Sequence, residues 1–274
     1  MTTRSALRYR RDAAGLPGWT YGLALLGVGL IVLPPLSLLL RSPWGTFVEQ
    51  VSSPSSLDAL RLSLITASCS TAICLVVSVP MALIFARHDG PLIRVLRALV
   101  LLPLVLPPVV GGLALLYTFG RLGIVGEHLH AAGVDIAFTT TAVVLAQSFV
   151  ALPFLVISVE GAVRVVGTRY EEVAATLGAG PTRTLWRVTL PLVLPSLIAG
   201  LVLAFARALG EFGATITFAG NAPGVTQTAP LAIYVSAIDD PQAAIPLSLI
   251  LVVVSLVVVV GVHSRRTRPG TGGL

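Results

Sequence analysis

The sequence contains no lysine: all 18 of its basic residues are arginine. A phosphate-binding P-loop needs a lysine that reaches the β- and γ-phosphates, so this chain carries none. A Schiff-base lysine is excluded in the same way. Any ATP used must therefore be bound by another subunit. Charge of either sign is scarce, at 11% of 274 residues, where a soluble domain carries roughly 25%. Only two cysteines occur, Cys69 and Cys74, five apart in one apolar segment. That spacing puts them on different helix faces, so they are expected to be small buried hydrophobes rather than a disulfide or metal site. No metal-binding helix pattern and no nucleophile–base pair is seen, which argues against a membrane enzyme. His128 and His130 share one loop without a further cluster, so no metal is expected there.

What is abundant is apolar. Hydrophobic residues make up 55% of the chain, and the mean hydropathy is +0.93. About 20 apolar residues in a helix cross the ~30 Å hydrocarbon layer. Six such spans are predicted, near Trp19–Leu40, Ala59–Ala86, Ala98–Phe119, Thr140–Val159, Leu192–Phe218 and Ala244–Val262. The expected fold class is thus an all-α polytopic membrane protein with six transmembrane helices. A signal peptide has a shorter apolar core than the first span, which reads as a retained helix.

The arginines give an orientation. The tail of residues 1–18, the connection 87–97, the segment 160–190 and the tail of residues 263–274 hold 14 of them. Arginine accumulates on the cytoplasmic side, so both termini are expected inside. The net charge of +6 then reflects membrane topology, and no nucleic-acid partner is expected. Residues 19–262 form the expected membrane domain. Residues 120–137 read as a loop, and the stretch after Phe218, through "NAPGVTQTAP" to Gln242, as polar and turn-rich.

Residues 170–195 read "YEEVAATLGAGPTRTLWRVTLPLVLP". The first part favours helix, with Glu171 and Glu172 near its positive N-terminal end. Gly178-Ala179-Gly180 breaks it, and Pro181 suits the first position of a second helix. Most connections are short, so a long, helical, punctuated one is expected to be a docking element at the inner face.

This stretch resembles the "EAA" signature of permease subunits of bacterial ABC importers: Glu-Ala-Ala, three residues, Gly, nine residues, an apolar residue, any residue, Leu-Pro. Here it matches Glu172-Val173-Ala174, Gly178, Val188 and Leu190-Pro191, with Val173 departing from the usual Ala. The resemblance implies a MetI-like fold over about residues 55–262. It also implies that Glu171, Glu172, Ala174, Gly178, Leu190 and Pro191, within the coupling segment 160–191, meet an ATP-hydrolysing partner. "LPLVLPPVVGGLALL" and "GEFGATITFAGN…GVTQTAPLAIY" are similar to molybdate permeases, with sulfate/thiosulfate permeases next. The implied assembly is a homodimer of permease subunits in the lipid bilayer with two cytoplasmic ATP-binding subunits and an extracytoplasmic oxyanion-binding protein. This chain would bind no cofactor; ATP and Mg would sit on the partner. For Asn221, Thr226 and Gln227 in the loop after the fifth span two readings stay open: contact with the binding protein, or a plain reverse turn built from Asn and Gly.

One pair stands out inside the fifth span. Arg207 lies about 16 residues past Pro191, roughly 24 Å along a helix. An unpaired charge at mid-bilayer costs about 2.5–3.5 kcal/mol even on the lenient insertion scale. Glu211 is one turn on and can pair with it. Two readings stay open: a neutralised pair that only packs, or a pair lining an oxyanion path beside Gly210, Gly213, Thr215 and Thr217. In the third span, Pro103, Pro107 and Pro108 remove backbone donors and Gly111-Gly112 thin the helix. A kinked gate helix and a kink that serves packing are both open. A stand-alone secondary transporter or channel is the rival class; Glu211 would be its one good ion-coupling carboxylate.

Overall fold

The computed structural model describes residues 17–266, with side chains up to Val260. The arginines of residues 1–16 and 267–274 lie outside the described residues. Every regular element described is helical. In chain order they are α1 (Gly18–Arg41), α2 (Phe47–Val51), α3 (Pro54–Arg87), α4 (Pro91–Leu101), α5 (Pro108–Phe119), α6 (Gly126–Ala131) and α7 (Thr140–Val166). There follow α8 (Arg169–Thr176), α9 (Pro181–Thr184), α10 (Leu190–Leu209), α11 (Gly213–Ala219), α12 (Ala229–Asp239) and α13 (Ala244–Arg266).

The core is built on α3. Ser53 caps it, accepting from the Ser56 N–H, and Pro54 opens it where a missing N–H costs nothing. Ala59, Ser63, Ala67, Ser70, Cys74, Ser78 and Ala82 recur every three or four residues and are buried. Small side chains on one stripe let neighbouring backbones approach closely, which is how helices associate where lipid removes the hydrophobic incentive. α7 and α10 pack on this stripe, contributing Ala151, Leu155, Val159, Leu197, Ala204 and Ala208. The Ser148 hydroxyl donates to Ser70 Oγ at 3.1 Å across the α3–α7 contact. Such interhelical bonds average about 0.6 kcal/mol in membranes, so packing decides the association.

Four helices are long and apolar enough to span: α1, α3, α7 and the continuous helical stretch Pro181–Leu209. A fifth exists if the bent pair Pro91–Leu104 and Pro108–Phe119 counts as one span; its halves meet at 115°. The expected third span is therefore broken outright rather than kinked. Pro107 and Pro108 both withhold N–H groups at the break, where the chain passes through a single 3₁₀ turn, Leu102–Leu104. Four or five spans are counted among the described residues, against six expected; the sixth expected span falls on α13, Ala244–Arg266, whose described side chains end at Val260. The fifth predicted span also ends early, at Leu209, and resumes as α11. The stretch after Phe218 is less loop-like than expected, since Ala229–Asp239 is helical. The loop 120–137 likewise holds α6. Cys74 is buried as expected but Cys69 is exposed, on the opposite side of α3.

α1 has no buried residue and rests on α13. Its outward Leu30 and Ile31 are about three-quarters exposed, which suits contact with acyl chains.

The small-residue stripe makes a test. Ser70→Leu overfills a fully buried site, a change that costs about 1–3 kcal/mol, and is expected to lower the thermal midpoint of the detergent-purified protein. Cys69→Leu, one residue away on the exposed side, is expected to leave it unchanged. Equal effects would contradict the assignment of this face to the core.

Candidate functional site

The segment expected at the inner face folds as a hairpin of two short helices. Thr168 precedes α8, and its hydroxyl donates to Glu172 Oε1 at 2.5 Å. Ala174 is buried against the rest of the hairpin. Gly178, with φ +79°, makes the reversal in a region that favours glycine. α9 does not end before the membrane: it runs through a π-turn, Leu185–Thr189, directly into α10. Pro191 explains the widened turn. It cannot donate to the carbonyl of Arg187, and its ring crowds that carbonyl.

The two glutamates face different ways. Glu172 is exposed beside Tyr170, Val173 and Leu177, whose spacing of three and four gives one apolar outward face. The Val173 departure thus enlarges a surface residue. Glu171 turns inward. Its Oε1 accepts from Arg87 at the end of α3 and from the Thr189 hydroxyl in the π-turn, both at 2.5 Å. A cavity of about 450 Å³ lies beside this contact, lined by Arg87, Glu171, Thr182, Thr184 and apolar neighbours. Leu190 is partly buried and Pro191 exposed at the top of the hairpin.

The end of α3 is tied on its other sides as well. The Phe85 carbonyl, otherwise one of the unpaired groups of a helix C-terminus, accepts from Arg97 and from Arg164, each at 2.7 Å. Glu160 pairs with both arginines, at 2.9 and 3.0 Å. Arg87, Arg97 and Arg164 count in the sequence only as topology signals; apart from the i,i+4 spacing of Glu160 and Arg164, their partners lie 12 to 84 residues away and gave no local hint of this cluster.

At the far end of α10 the charged pair straddles a chain break. Arg207 sits in the last turn of α10 and Glu211 just before α11. A cation at a helix C-terminus and an anion at an N-terminus both match the helix dipoles. Glu211 is 1% exposed, pairs through Oε2 with Arg207, and accepts from the Ala214 N–H at 2.8 Å through Oε1. The Arg207 side chain keeps 30% exposure. Glu211 is therefore fully engaged, as a brace for the break, while the Arg207 side chain stays partly exposed. Gly210 is exposed and ends α10; Thr215 is buried with its hydroxyl unpaired.

The two chain breaks touch. A Cβ on Gly112 of α5 would lie 2.6 Å from Thr217 Oγ1 and 2.8 Å from the Ala214 carbonyl. Glycine is required here by close approach to backbone, not by its dihedral freedom. Gly111 is also buried, whereas Pro107 and Pro108 are exposed at the bend. The structure thus brings Gly111 and Gly112 together with the α11 end of the Arg207–Glu211 group, with Pro108 against Gly213. In the following loop, Thr226 is buried and its hydroxyl accepts from the Ala222 N–H at 2.8 Å. It shapes the loop from within; Asn221 and Gln227 are partly exposed. Gln147, fully buried on α7 with its amide unpaired, is a polar position that sequence reasoning passed over. In the connection between α5 and α7, His130 lies between Arg121 and Asp135, at 2.9 Å from each.

Residues 78–269 match the family described as "Binding-protein-dependent transport system inner membrane component". The chain belongs to this family. Among its permease relatives, "Molybdenum transport system permease protein ModB" of Mycobacterium tuberculosis (strain ATCC 25618 / H37Rv) is 58% identical over 250 residues, 91% of this chain and 95% of that protein. "Sulfate transport system permease protein CysT" of Escherichia coli (strain K12) is 34% identical over 262 residues, 93% of this chain and 95% of its own. A permease-containing structure of a bacterial alginate ABC transporter superposes with TM-score 0.70 at 19% identity, covering 93% of this chain and 96% of that one. The MetNI methionine ABC transporter gives 0.61 at 18%, covering 76% and 93%. At these identities the two structures support the permease fold alone.

The pair carries an ordering of effects. Glu211→Ala removes two bonds from a fully buried position and strands the Arg207 charge. Arg207→Ala leaves Glu211 its bond to Ala214. Breaking a buried pair costs about 3–5 kcal/mol, less where one partner is partly solvated as here. Glu211→Ala is expected to lower the thermal midpoint more than Arg207→Ala; the reverse order would contradict the bracing role.

Proposed function

We propose that the chain is the permease subunit of an ATP-driven molybdate importer, with tungstate as the second oxyanion it would pass. The observation that carries this reading is the 58% identity to the ModB permease across 91% of the chain; the sulfate permease CysT, at 34%, supports the sulfate alternative less. In this reading the chain has the six-span MetI-like fold with both termini inside, and two copies form a homodimer around the path. ATP and Mg²⁺ bind to two separate cytoplasmic subunits, and an extracytoplasmic binding protein delivers the oxyanion to a surface that includes Asn221 and Gln227. No covalent chemistry occurs on this chain.

The geometry supplies a mechanism for alternating access. The outward side of α8, with Glu172, Val173 and Leu177, meets the ATP-binding subunit. Residues Pro181–Leu209 form one helical rod of 29 residues, about 43 Å long at 1.5 Å per residue. Closure of the ATP-binding subunits moves the inner end of the rod and so its Arg207 end. There the Gly210–Phe212 break and the bend at Pro107–Pro108 let α5 and α11 swing as a contacting pair. Arg207 attracts the oxyanion; Glu211 holds the break together.

Reconstitution tests this. With the cognate ATP-binding subunit and binding protein in proteoliposomes, radiolabelled molybdate uptake is expected to require ATP and to resist competition by excess sulfate. Uptake at full rate without the ATP-binding subunit would indicate a secondary transporter, and preferential inhibition by sulfate a sulfate permease. Arg207→Ala, with assembly intact, is expected to lower uptake at least tenfold; unchanged uptake would remove the pair from the path.

A further inference from the structure

We propose that Glu171 and Arg87 form the clasp through which the inner-face hairpin drives α3, so that Glu171 is a positioning residue of the transport cycle with a role separate from that of its neighbour Glu172. The proposal rests on the importer reading above. Among the described residues, Arg87–Glu171 is the one ion pair joining α8 to α3. The same carboxylate oxygen holds Thr189 in the π-turn, so a single atom fastens α8, α3 and the base of α10.

What α3 is fastened to gives the clasp its consequence. Two residues before Arg87, the Phe85 carbonyl is held by Arg97 of α4 and by Arg164 of α7. The Arg97 guanidinium also lies over the Phe85 ring, 5.8 Å from its centre. α4 leads through the 115° bend into α5, and α5 seats Gly112 on α11 next to the Glu211 brace. A displacement of α8 is therefore passed by two routes: along the α10 rod to Arg207, and through Arg87 to α4 and the α5 bend. Both routes end at the same contact between the two chain breaks. A clasp that holds α8 to both keeps the two routes in step. Severing it leaves the ATP-binding subunit docked on Glu172 and Val173 but lets α8 move without α3.

The pair is also suited to this role by its exposure. The Arg87 side chain is 40% exposed and that of Glu171 18%. Ion pairs at such positions contribute little to folding, so its loss is expected to appear in coupling before it appears in assembly. Two discrete arrangements biased from both ends are what a coupling claim requires, and a charge swap tests for them.

The experiment measures ATP hydrolysed and molybdate imported in the same proteoliposomes, with assembly checked by size-exclusion chromatography. Absence of ATP-dependent molybdate uptake by the wild-type complex would overturn the importer reading itself. Given wild-type uptake, Glu171→Gln and Arg87→Gln are each expected to raise the ATP hydrolysed per molybdate imported at least fivefold. The swap Arg87→Glu/Glu171→Arg is expected to bring that ratio back to within twofold of wild type. Thr189→Val, which keeps the side-chain volume and removes one bond to Glu171, is expected to shift it in the same direction. Glu172→Gln, on the docking face, is expected to lower hydrolysis and uptake together at an unchanged ratio. A wild-type ratio in the Glu171→Gln and Arg87→Gln variants would overturn the clasp. So would a proportional fall of hydrolysis and uptake in them, since that is the behaviour of a docking residue. If the single variants do not assemble, the swap and Thr189→Val decide, and a swap that fails to restore the ratio overturns the proposal.

Discussion

The stripe of small residues on α3 is the constraint on which the rest of the structure depends. Positions 59, 63, 67, 70, 74, 78 and 82 carry nothing larger than cysteine, so α7 and α10 can approach until their own side chains fill the seam. In a bilayer, where lipid tails compete on equal terms for apolar surface, that close approach is what distinguishes helix from lipid as a neighbour. The result is a packed three-helix body of α3, α7 and α10. Elements that must bend or break are arranged around it, and α1 lies outside it on α13.

Polar groups sit where the helices stop. Backbone left unpaired at membrane depth is costly, and two of the helix ends are met by specific partners. Arginines from α4 and α7 satisfy the Phe85 carbonyl at the end of α3. The Glu211 carboxylate receives the Ala214 N–H at the start of α11. The charges that look out of place in an apolar sequence are thus accounted for by helix ends. Glu211 is committed to the brace, and Arg207 is the more exposed member of the pair. A secondary transporter built on Glu211 would need a carboxylate free to exchange an ion, and this one is held on both oxygens.

Much of this was legible in the sequence. The hairpin at 170–191 followed from Gly178, Pro181 and the residue pattern between them. Pairing of Arg207 with Glu211 followed from their spacing. What escaped was set by tertiary contact or by local breaks that hydropathy does not register. A window average runs straight through Gly210–Phe212, because the residues on both sides are apolar, and so it fused α10 with α11 into one span. The same averaging kept both sides of the 115° bend in one kinked span. Ala229–Asp239 was lost to the turn-forming residues before it. Arg87 looked like one more cytoplasmic arginine until Glu171, 84 residues away, was found against it. Thr226 looked like a surface residue because its neighbours are polar; its burial comes from a turn that closes on Ala222.

The central claim is that residues 169–209 move as one body, carrying displacement of the inner-face hairpin to the Arg207 end of α10. It is tested most directly by spin-label distances in the assembled complex, on a Cys69→Ala, Cys74→Ala background with one labelled copy. Labels at the exposed positions Thr176 of α8 and Ile198 of α10 are predicted to give the same distance distribution in the nucleotide-free and ATP-trapped states, while labels at Thr176 and Val110 of α5 change. A Thr176–Ile198 distance that shifts on trapping ATP, with Thr176–Val110 unchanged, would contradict the account.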